Sequence, residues 1–280
     1  MSIKPVIVAI AKLEQDYIEE WVKYHLALGF DFIYLYDNED IPTYNKILTK
    51  YANKMKIIHY PGNNFKQPVQ YKILDDFNNN YMHKDNITHV IHIDIDEFIC
   101  LKIHSNIKRF INEYFIDDCA GIGINWVHFG SSNITKKTNE PVTQRFIMCQ
   151  HNADRHIKTL FSVLDVNLDK PFKTVHNVNT INNKHIKATN GIVIPNIYNS
   201  LPDTSIIQLN HYKCKTFEEF KYTRTRGRAD LTKIKEYILS LTIPEKQYNM
   251  LFNIDYIFNM NNINDIEDLT AKNFYNKLIN

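Results

Sequence analysis

The feature that most constrains the fold is a regular alternation of apolar runs and amphipathic segments across roughly the first 100 residues. Four apolar runs have the character of buried strands, at 6–11, 32–36, 55–60 and 88–94. Segments with helical spacing separate them, at 15–28, 42–52 and 67–82. Strands that alternate with helices build βαβ units with parallel strands. We therefore predict an α/β fold with a Rossmann-like, mostly parallel sheet flanked by helices.

The alternation fades after residue 103, which predicts a more mixed second half. A helix is expected at 106–115 and strands at 119–130, 143–149 and 157–166. Thr216-Phe217-Glu218-Glu219 matches a capping box, so another helix begins there. A further helix is expected at 231–241, and the Asn-rich tail from 244 is expected to form short helices or to fray.

Composition excludes several classes of protein. The chain has 280 residues, 44% of them apolar and 23% charged, with a net charge of +2, so it lacks the basic excess of nucleic-acid binders. The four cysteines show no CxxC pairing, which predicts free thiols. The apolar run at 6–11 is far shorter than the roughly 20 residues that cross a bilayer. Without a visible anchor or secretion signal, we expect a soluble cytoplasmic protein.

Polar residues follow three of the predicted parallel strands. Open α/β sheets bind ligands beyond the carboxyl ends of their strands, and Lys12, Asp37 and Asp94 lie at or just past three such ends. Glu14 and Asn38 stand next to the first two positions. The plainer alternatives are a favourable charge at a helix start for Glu14 and a simple turn for Asp37-Asn38.

The Asp94-Ile95-Asp96-Glu97 stretch is the strongest chemical motif. Residues two apart in an extended segment point the same way, so Asp94 and Asp96 can face one hard divalent cation. Such a cation can neutralise a diphosphate leaving group. The alternatives are a solvated acidic turn and a phosphatase DxDx[TV] motif. The second is disfavoured because Phe98 occupies the small-residue position and the motif follows the fourth strand, not the first.

A second group of candidate residues lies more than 100 residues downstream. His211 follows a short apolar run, and neutral imidazole is a competent metal ligand. Arg224, Arg226 and Arg228 surround Gly227, and their guanidinium groups suit phosphate oxygens. The alternative is a helix whose basic last turn favours its own dipole.

Four segments in this order resemble glycosyltransferase family 92 and related family 2-like enzymes. They are IAKLEQDYIEEWVKYHLALGFDFIYLYDN, IHIDIDEFI, WVHFGSS and LNHYKCKTFEEF…RGRAD, and the resemblance covers residues 6–230. The chain departs from the family at Leu13, where the family commonly has Asn, and at Asn133, where it commonly has Gly.

The resemblance implies a GT-A fold, a nucleotide-sugar donor and a divalent metal, Mn²⁺ or Mg²⁺. By the same resemblance, Asp94 faces the ribose and metal region, Asp96 ligates the metal and His211 completes its shell. The positions implied for the nucleotide sugar are Lys12, Glu14, Asp37, Asn38 and Gln70. The implied GT-A domain spans 1–243, with a nucleotide-sugar-binding half at 1–103, an acceptor-side half at 104–243 and a tail at 244–280.

The implied reaction moves a sugar, most simply a hexose from a UDP-sugar, to a hydroxyl of a glycan or glycoconjugate. The metal and Arg226 would neutralise the leaving diphosphate. An inverting enzyme needs a carboxylate base, for which Asp154 and Glu97 are the candidates. Trp126 and His128 would form an acceptor platform, the alternative being that Trp126 is a core residue. A non-catalytic nucleotide-sugar or glycan-binding protein on the same fold is the other reading.

Overall fold

The computed structural model describes residues 2–62, 68–225 and 253–279. The strands are β1 (Pro5–Ala11), β2 (Phe32–Asp37), β3 (Met55–His59), β4 (His89–His92), β5 (Glu97–Leu101), β6 (Cys119–His128), β7 (Met148–Cys149), β8 (Ile157–Ser162), β9 (His185–Lys187), β10 (Ile207–His211) and β11 (Ile266–Glu267). The helices are α1 (Ile18–Ala27), α2 (Tyr44–Ile47), α3 (Val69–Phe77), α4 (Ile107–Tyr114), α5 (Val142–Arg145), α6 (Phe217–Thr225), α7 (Ile254–Asn261) and α8 (Thr270–Ile279).

Within the described residues, nine strands form one large sheet. Its order is β3-β2-β1-β4-β8-β6-β10-β5, with β9 paired to β6. The first four strands in this order are parallel. Further pairs are antiparallel where β8 joins β4 and β6, and where β5 joins β10. The predicted α/β class, with a mostly parallel sheet and a mixed second half, is confirmed.

The first half forms as its pattern predicts because its strands are apolar on both faces. Val6, Ile7 and Val8 of β1 are fully buried between helices on either side of the sheet. Helix α1 ends at Ala27, and Gly29 follows with φ of 105°, a left-handed conformation that glycine adopts without strain. The predicted helix at 42–52 is broken into α2 and a 3₁₀ turn, and the one at 67–82 ends as a π turn at 78–82.

The pairing of β5, β6 and β10 brings residues of the second half close to the turn that follows β4. Strand β5 begins directly after the acidic motif and returns antiparallel beside β10, so His211 lies opposite Glu97. Strand β10 also pairs parallel with β6, which sets His211 opposite His128. Residues that are more than 100 positions apart are thereby placed side by side in the sheet. This pairing assembles the candidate site.

The structure differs from the sequence prediction at 143–149, which was expected to be a strand. Residues Val142–Arg145 form a helical turn, and only Met148–Cys149 pair as a strand. The cause is a contact from a distant part of the chain. The buried Glu20 carboxylate accepts hydrogen bonds from the backbone N–H groups of Val142 and Thr143, at 2.6 and 2.9 Å. It thus satisfies the free N–H groups of that turn.

Two described helices follow the main sheet near the C-terminus. Helix α8 places Ala271 and Tyr275 in the core, beside β5 and α1. In the part of the chain that the structure describes, no helix combines the length and the apolar character needed to cross a membrane. All four cysteines are buried free thiols, as predicted.

Candidate active site

The acidic motif forms a closed turn at the carboxyl end of β4. The backbone N–H of Glu97 donates to the Asp94 carbonyl at 3.1 Å, and the Asp94 N–H donates to the Glu97 carboxylate at 2.8 Å. Tyr212, just past β10, donates its N–H to the Asp96 carbonyl at 2.8 Å. The turn is therefore fixed both to itself and to the strand that carries His211.

The structure brings Asp96 and His211 together. His211 Nε2 lies 3.6 Å from an Asp96 carboxylate oxygen. Burial raises the pKa of Asp96, but the neighbouring His211 and Lys215 together outweigh burial, and the pKa is lowered. Burial likewise opposes protonation of His211, yet the Asp96 charge raises its pKa above the usual value. His211 Nδ1 is buried and has no hydrogen-bond partner among the described residues.

Asp94 lies next to the pair but has different partners. Its carboxylate contacts Lys158 Nζ at 3.2 Å, and its other oxygen accepts a hydrogen bond from Gln70 Nε2 at 3.2 Å. Burial raises the Asp94 pKa, and Lys158 and His92 together lower it further than burial raises it. Gln70, which the resemblance implies for the nucleotide sugar, thus lies beside the acidic motif.

Glu97 is fully buried behind the two aspartates. Lys158 Nζ lies 3.6 Å from its Oε2, while Oε1 has no hydrogen-bond partner in the described part of the chain. Burial raises the pKa of the Glu97 carboxyl to about 7 despite the nearby lysine. Because the side chain is enclosed, Glu97 supports the turn and does not face the open site.

The side chains at the end of β4 can be compared with the ligands that a divalent cation requires. No group of three His, Cys, Asp or Glu side chains among the described residues is placed to hold a metal ion. Of the three predicted ligands, Asp96 and His211 converge and Asp94 is engaged by Lys158. Carboxylate and imidazole are both suitable ligands, and Mg²⁺ sites often use one or two carboxylates with substrate phosphates and waters. The Asp96–His211 pair fits this requirement.

Lys158 is a site residue that the sequence motifs do not indicate. Its side chain is 1% exposed, near the start of β8, where it contacts both Asp94 and Glu97. Burial lowers the Lys158 pKa, but the two carboxylates raise it above the usual value, so the side chain is a buried cation. A lysine within the apolar run IKTLFS is the available signal, because lysine is almost never buried unless paired.

A cluster of histidines surrounds Trp126. The Trp126 ring lies 4.8 Å from the His211 ring and stacks on His156 at 5.1 Å with an interplanar angle of 24°. His128 lies 5.1 Å from His211 and 5.7 Å from Trp126, measured between ring centroids. Asp154 contacts both His128 and His156. The predicted Trp126, His128 and Asp154 therefore do come together, and His156 is an additional member.

The residues after β1 and β2 are engaged in contacts within the protein. Asp37 accepts three backbone N–H groups, from Glu39, Thr43 and Tyr44. Asn38 donates its side-chain amide to the carbonyls of residues 60 and 62. Lys12 lies 3.7 Å from Asp40, and the Glu14 N–H donates to the Tyr44 hydroxyl at 3.0 Å.

The segment around α6 lies at the edge of the described chain. Two predictions, Arg226 and the helix expected at 231–241, lie outside the described residues. The capping box before α6 is confirmed, because Thr216 and Glu219 exchange hydrogen bonds between side chain and backbone at 3.2 Å in both directions.

The sequence profile of one protein family matches residues 4–245, which is most of the chain, and its description is glycosyltransferase family 92. The chain belongs to glycosyltransferase family 92. The resemblance drawn from the motifs is thus confirmed, and so is the fold class that it implied. A search of curated protein sequences returns no significant match to this family 92 chain.

Solved structures with a related chain path also include glycosyltransferases. S. aureus TarS 1–349 is 12% identical, with 90% of this chain and 70% of that chain covered and a TM-score of 0.35. The mannosyltransferase Ktr4p from S. cerevisiae is 13% identical, with coverages of 47% and 41% and a TM-score of 0.26. A 4-diphosphocytidyl-2C-methyl-D-erythritol synthase is 10% identical, with coverages of 57% and 76% and a TM-score of 0.32.

Both departures from the family 92 pattern lie at left-handed backbone positions. Leu13 has φ of 57° and Asn133 has φ of 60°. The Asn and Gly that the family commonly carries there tolerate this conformation, whereas a leucine is strained in it. The family residues at these positions are therefore explained by backbone geometry.

Proposed function

We propose that this family 92 member transfers a hexose from a nucleotide sugar, with a UDP-sugar as the donor, to a hydroxyl of a glycan or glycoconjugate. The observation that carries the proposal is the Asp96–His211 pair at the carboxyl end of β4, 3.6 Å apart and next to Asp94. Parallel α/β sheets bind their ligands at this edge. The proposal divides the chain into a donor-side half at 1–103 and an acceptor-side half at 104–243.

Asp96 and His211 would hold a divalent cation, Mn²⁺ or Mg²⁺, with Asp94 beside it. When bound, the cation supplies positive charge to the diphosphate leaving group. The residues of the chain orient it: the turn at 94–97 fixes Asp96, and the pairing of β10 with β5 and β6 fixes His211. Lys158 keeps Asp94 ionised and in place, so that this carboxylate can accept hydrogen bonds from the donor.

The donor side is assigned to residues near the ends of β1 and β2 and to the start of α3. Lys12 and Glu14 are partly exposed and suit direct contact with the nucleoside. Asp37 and Asn38 are buried and act by shaping the loop. Gln70 contacts Asp94 and places its amide at the sugar-binding edge. Arg226 is proposed to neutralise the diphosphate together with the cation.

The acceptor side is assigned to the surface around Trp126 and His128. Aromatic faces stack on sugar rings, and the Trp126 ring contacts the rings of His211 and His156. The group around Asp154 is proposed to remove the proton from the acceptor hydroxyl. This arrangement keeps the proposed proton acceptor and the proposed metal ligand His211 next to the same indole ring.

A thermal-shift screen of nucleotide sugars with and without Mn²⁺ tests the donor and metal assignments together. A bound donor stabilises the native state by mass action, by about 2.7 kcal/mol at 100 times its Kd. We expect a UDP-sugar to raise the Tm in the presence of Mn²⁺ and to be hydrolysed slowly without an acceptor. Binding with no turnover against a broad panel of acceptors indicates a binding protein on the same fold. No binding of any nucleotide sugar contradicts the proposal.

A further inference from the structure

The Asp154 carboxylate is occupied by two imidazoles. Its Oδ1 accepts the His156 backbone N–H at 2.8 Å and lies 2.7 Å from His156 Nδ1. Its Oδ2 lies 3.3 Å from His128 Nε2. Burial raises the Asp154 pKa, but the hydrogen bonds from His156 outweigh it and lower the pKa. A carboxylate so fully bonded and so weakly basic is a poor proton acceptor for a sugar hydroxyl.

His156 has one ring nitrogen that is held by Asp154 and one that is open. Its Nδ1 faces Asp154, which fixes the tautomer and leaves Nε2 with a lone pair. No described residue hydrogen-bonds Nε2, and 34% of the side chain is exposed. Its ring is held between Trp126 at 5.1 Å and Tyr198 at 4.5 Å, measured between centroids. The imidazole is therefore oriented on three sides and open on the fourth.

His128 is less suited to accept the proton. Its Nε2 already faces Asp154, and burial lowers its pKa to about 4. His176, 6.4 Å from His156, directs its Nδ1 at the Ile157 carbonyl, and burial lowers its pKa to about 4 as well. Among the histidines around Trp126, His156 combines an open nitrogen with a carboxylate partner.

We propose that His156 Nε2 is the general base for the acceptor hydroxyl, and that Asp154 is the positioning residue behind it. The inference rests on the proposed glycosyl transfer. It assigns the proton to an imidazole that a carboxylate orients, the same division of roles that operates in hydrolase triads. His156 contacts neither Asp96 nor His211, so the proton and the leaving group are handled by separate residues joined through Trp126.

The step balances without any further reactant. The acceptor hydroxyl gives its proton to His156 Nε2, and its oxygen forms the bond to the anomeric carbon of the donor. The bond from that carbon to the diphosphate breaks, and its electron pair stays on the diphosphate oxygen. The imidazolium formed is stabilised by the Asp154 carboxylate. Release of the nucleoside diphosphate and loss of the proton to water restore the site.

The test compares His156→Gln with His151→Gln, a matched change of an exposed histidine five residues earlier on the same loop. The donor probe is the UDP-hexose with the fastest turnover, and the acceptor probes are methyl glycosides and sodium azide. Azide is already an anion, so attack by it requires no base. A misfolded or misplaced site would lose both reactions, whereas loss of a base affects only the hydroxyl acceptor.

We expect His156→Gln to slow transfer to the methyl glycoside by about 10²–10⁴-fold, the usual contribution of general base catalysis. Its azide reaction should remain within about tenfold of wild type, and Asp154→Asn should show the same selectivity. His151→Gln should leave both reactions unchanged. Transfer to the glycoside within about fivefold of wild type, or equal loss of both reactions, overturns the assignment. Wild-type protein that binds and hydrolyses UDP-hexose upholds the proposed function, so a negative result with the variants then counts against the base alone. Wild-type protein that transfers no sugar contradicts both the base and the proposed function.

Discussion

Strands β2 and β4 flank β1 in the sheet. Strand β2 ends at Asp37, and the acidic turn at 94–97 follows β4 at the same edge of the sheet. The two ends differ in what their carboxylates contact. Asp37 is fully buried and accepts three backbone N–H groups of its own loop. Asp94 and Asp96 are partly exposed and contact Lys158 and His211. The end of β2 is built from protein contacts alone, whereas the end of β4 keeps accessible charge.

This difference shows why position at a strand end is insufficient to identify a ligand site. Both strand ends lie at the edge where open α/β sheets bind their ligands, and an aspartate stands at or just past each of them. Of these two ends, the one at β4 has buried polar atoms without described partners: His92 Nε2 in the strand and Glu97 Oε1 in the turn, with His211 Nδ1 on the adjoining β10. We interpret Asp37 as a residue that shapes the donor loop and Asp96 as one that meets the ligand. The following predictions test that division.

The largest effect on stability is expected at the end of β4, from Lys158→Met. This change leaves Asp94 and Glu97 without their cation, and breaking a buried ion pair from one side costs about 3–5 kcal/mol. Urea unfolding followed by circular dichroism measures it. The Lys158→Met/Glu97→Gln double variant should recover part of the loss, because it removes one of the stranded charges. Equal stability of wild type and Lys158→Met would show that the ion pairs are unimportant.

At the end of β2, Asp37→Ala should act on the fold. Three backbone N–H groups lose a charged acceptor in a buried loop, and leaving such groups unsatisfied costs about 2–4 kcal/mol in total. Donor affinity should fall only as far as the loss of folded protein explains. Denaturant titration and nucleotide binding, measured on the same samples, separate the two effects. A stable variant with a specific loss of donor binding would instead give Asp37 a direct ligand role.

The Glu219 carboxylate on α6 supports the segment after His211 and provides a pH-dependent test. Burial alone raises its pKa, but hydrogen bonds from Arg145 and Thr216 outweigh this and hold the pKa at about 2. A lowered pKa contributes stability above the unfolded value of about 4.3, and the contribution is lost as the pH falls towards 2.

Glu219→Gln should therefore reduce stability by about 2–3 kcal/mol at pH 7. The gap between the two proteins should narrow as the pH falls from about 5 to 2. Thermal unfolding across this range measures the gap. A gap that does not change with pH means that the Arg145 ion pair contributes nothing through the Glu219 charge.

The smallest effect is expected from Gln70→Ala. A single hydrogen bond of 3.2 Å to a partly exposed Asp94 is removed, and such a bond contributes about 0.5–1.5 kcal/mol, or roughly 2–10-fold in donor affinity. Isothermal titration with UDP and Mn²⁺ measures it, with Gln150→Ala as the comparison. A loss of 100-fold or more would show that Gln70 contacts the donor itself.

The sequence predicts the first half well because its signals are local. Local signals of this kind are the apolar runs of β1 to β4 and the helix stop at Gly29, and both are observed. The capping box at Thr216, in the second half, is equally local and is also observed. The helical turn at Val142–Arg145 was missed because its N–H groups are capped by Glu20, more than 120 residues away.

The site itself was predictable only in part. The motif at 94–97 and His211 are recognisable from residue type and position, and the resemblance to family 92 added Gln70. Lys158 and His156 were missed because their roles depend on the antiparallel pairing of β8 with β4 and β6, which no local pattern encodes. Likewise, no sequence pattern distinguishes Asp37, whose carboxylate accepts three backbone hydrogen bonds, from Asp96, whose carboxylate is partly exposed.

The most direct test of the account is the Mn²⁺-dependent binding of UDP to wild type and Asp96→Ala, measured by isothermal titration. Removal of a ligand that meets the metal and the diphosphate should weaken UDP binding by about 100-fold or more, equivalent to about 2.7 kcal/mol. The Tm without ligand should change by only a few degrees. UDP binding by Asp96→Ala with the wild-type affinity and the same Mn²⁺ dependence would contradict the assignment of the metal-diphosphate site to the end of β4.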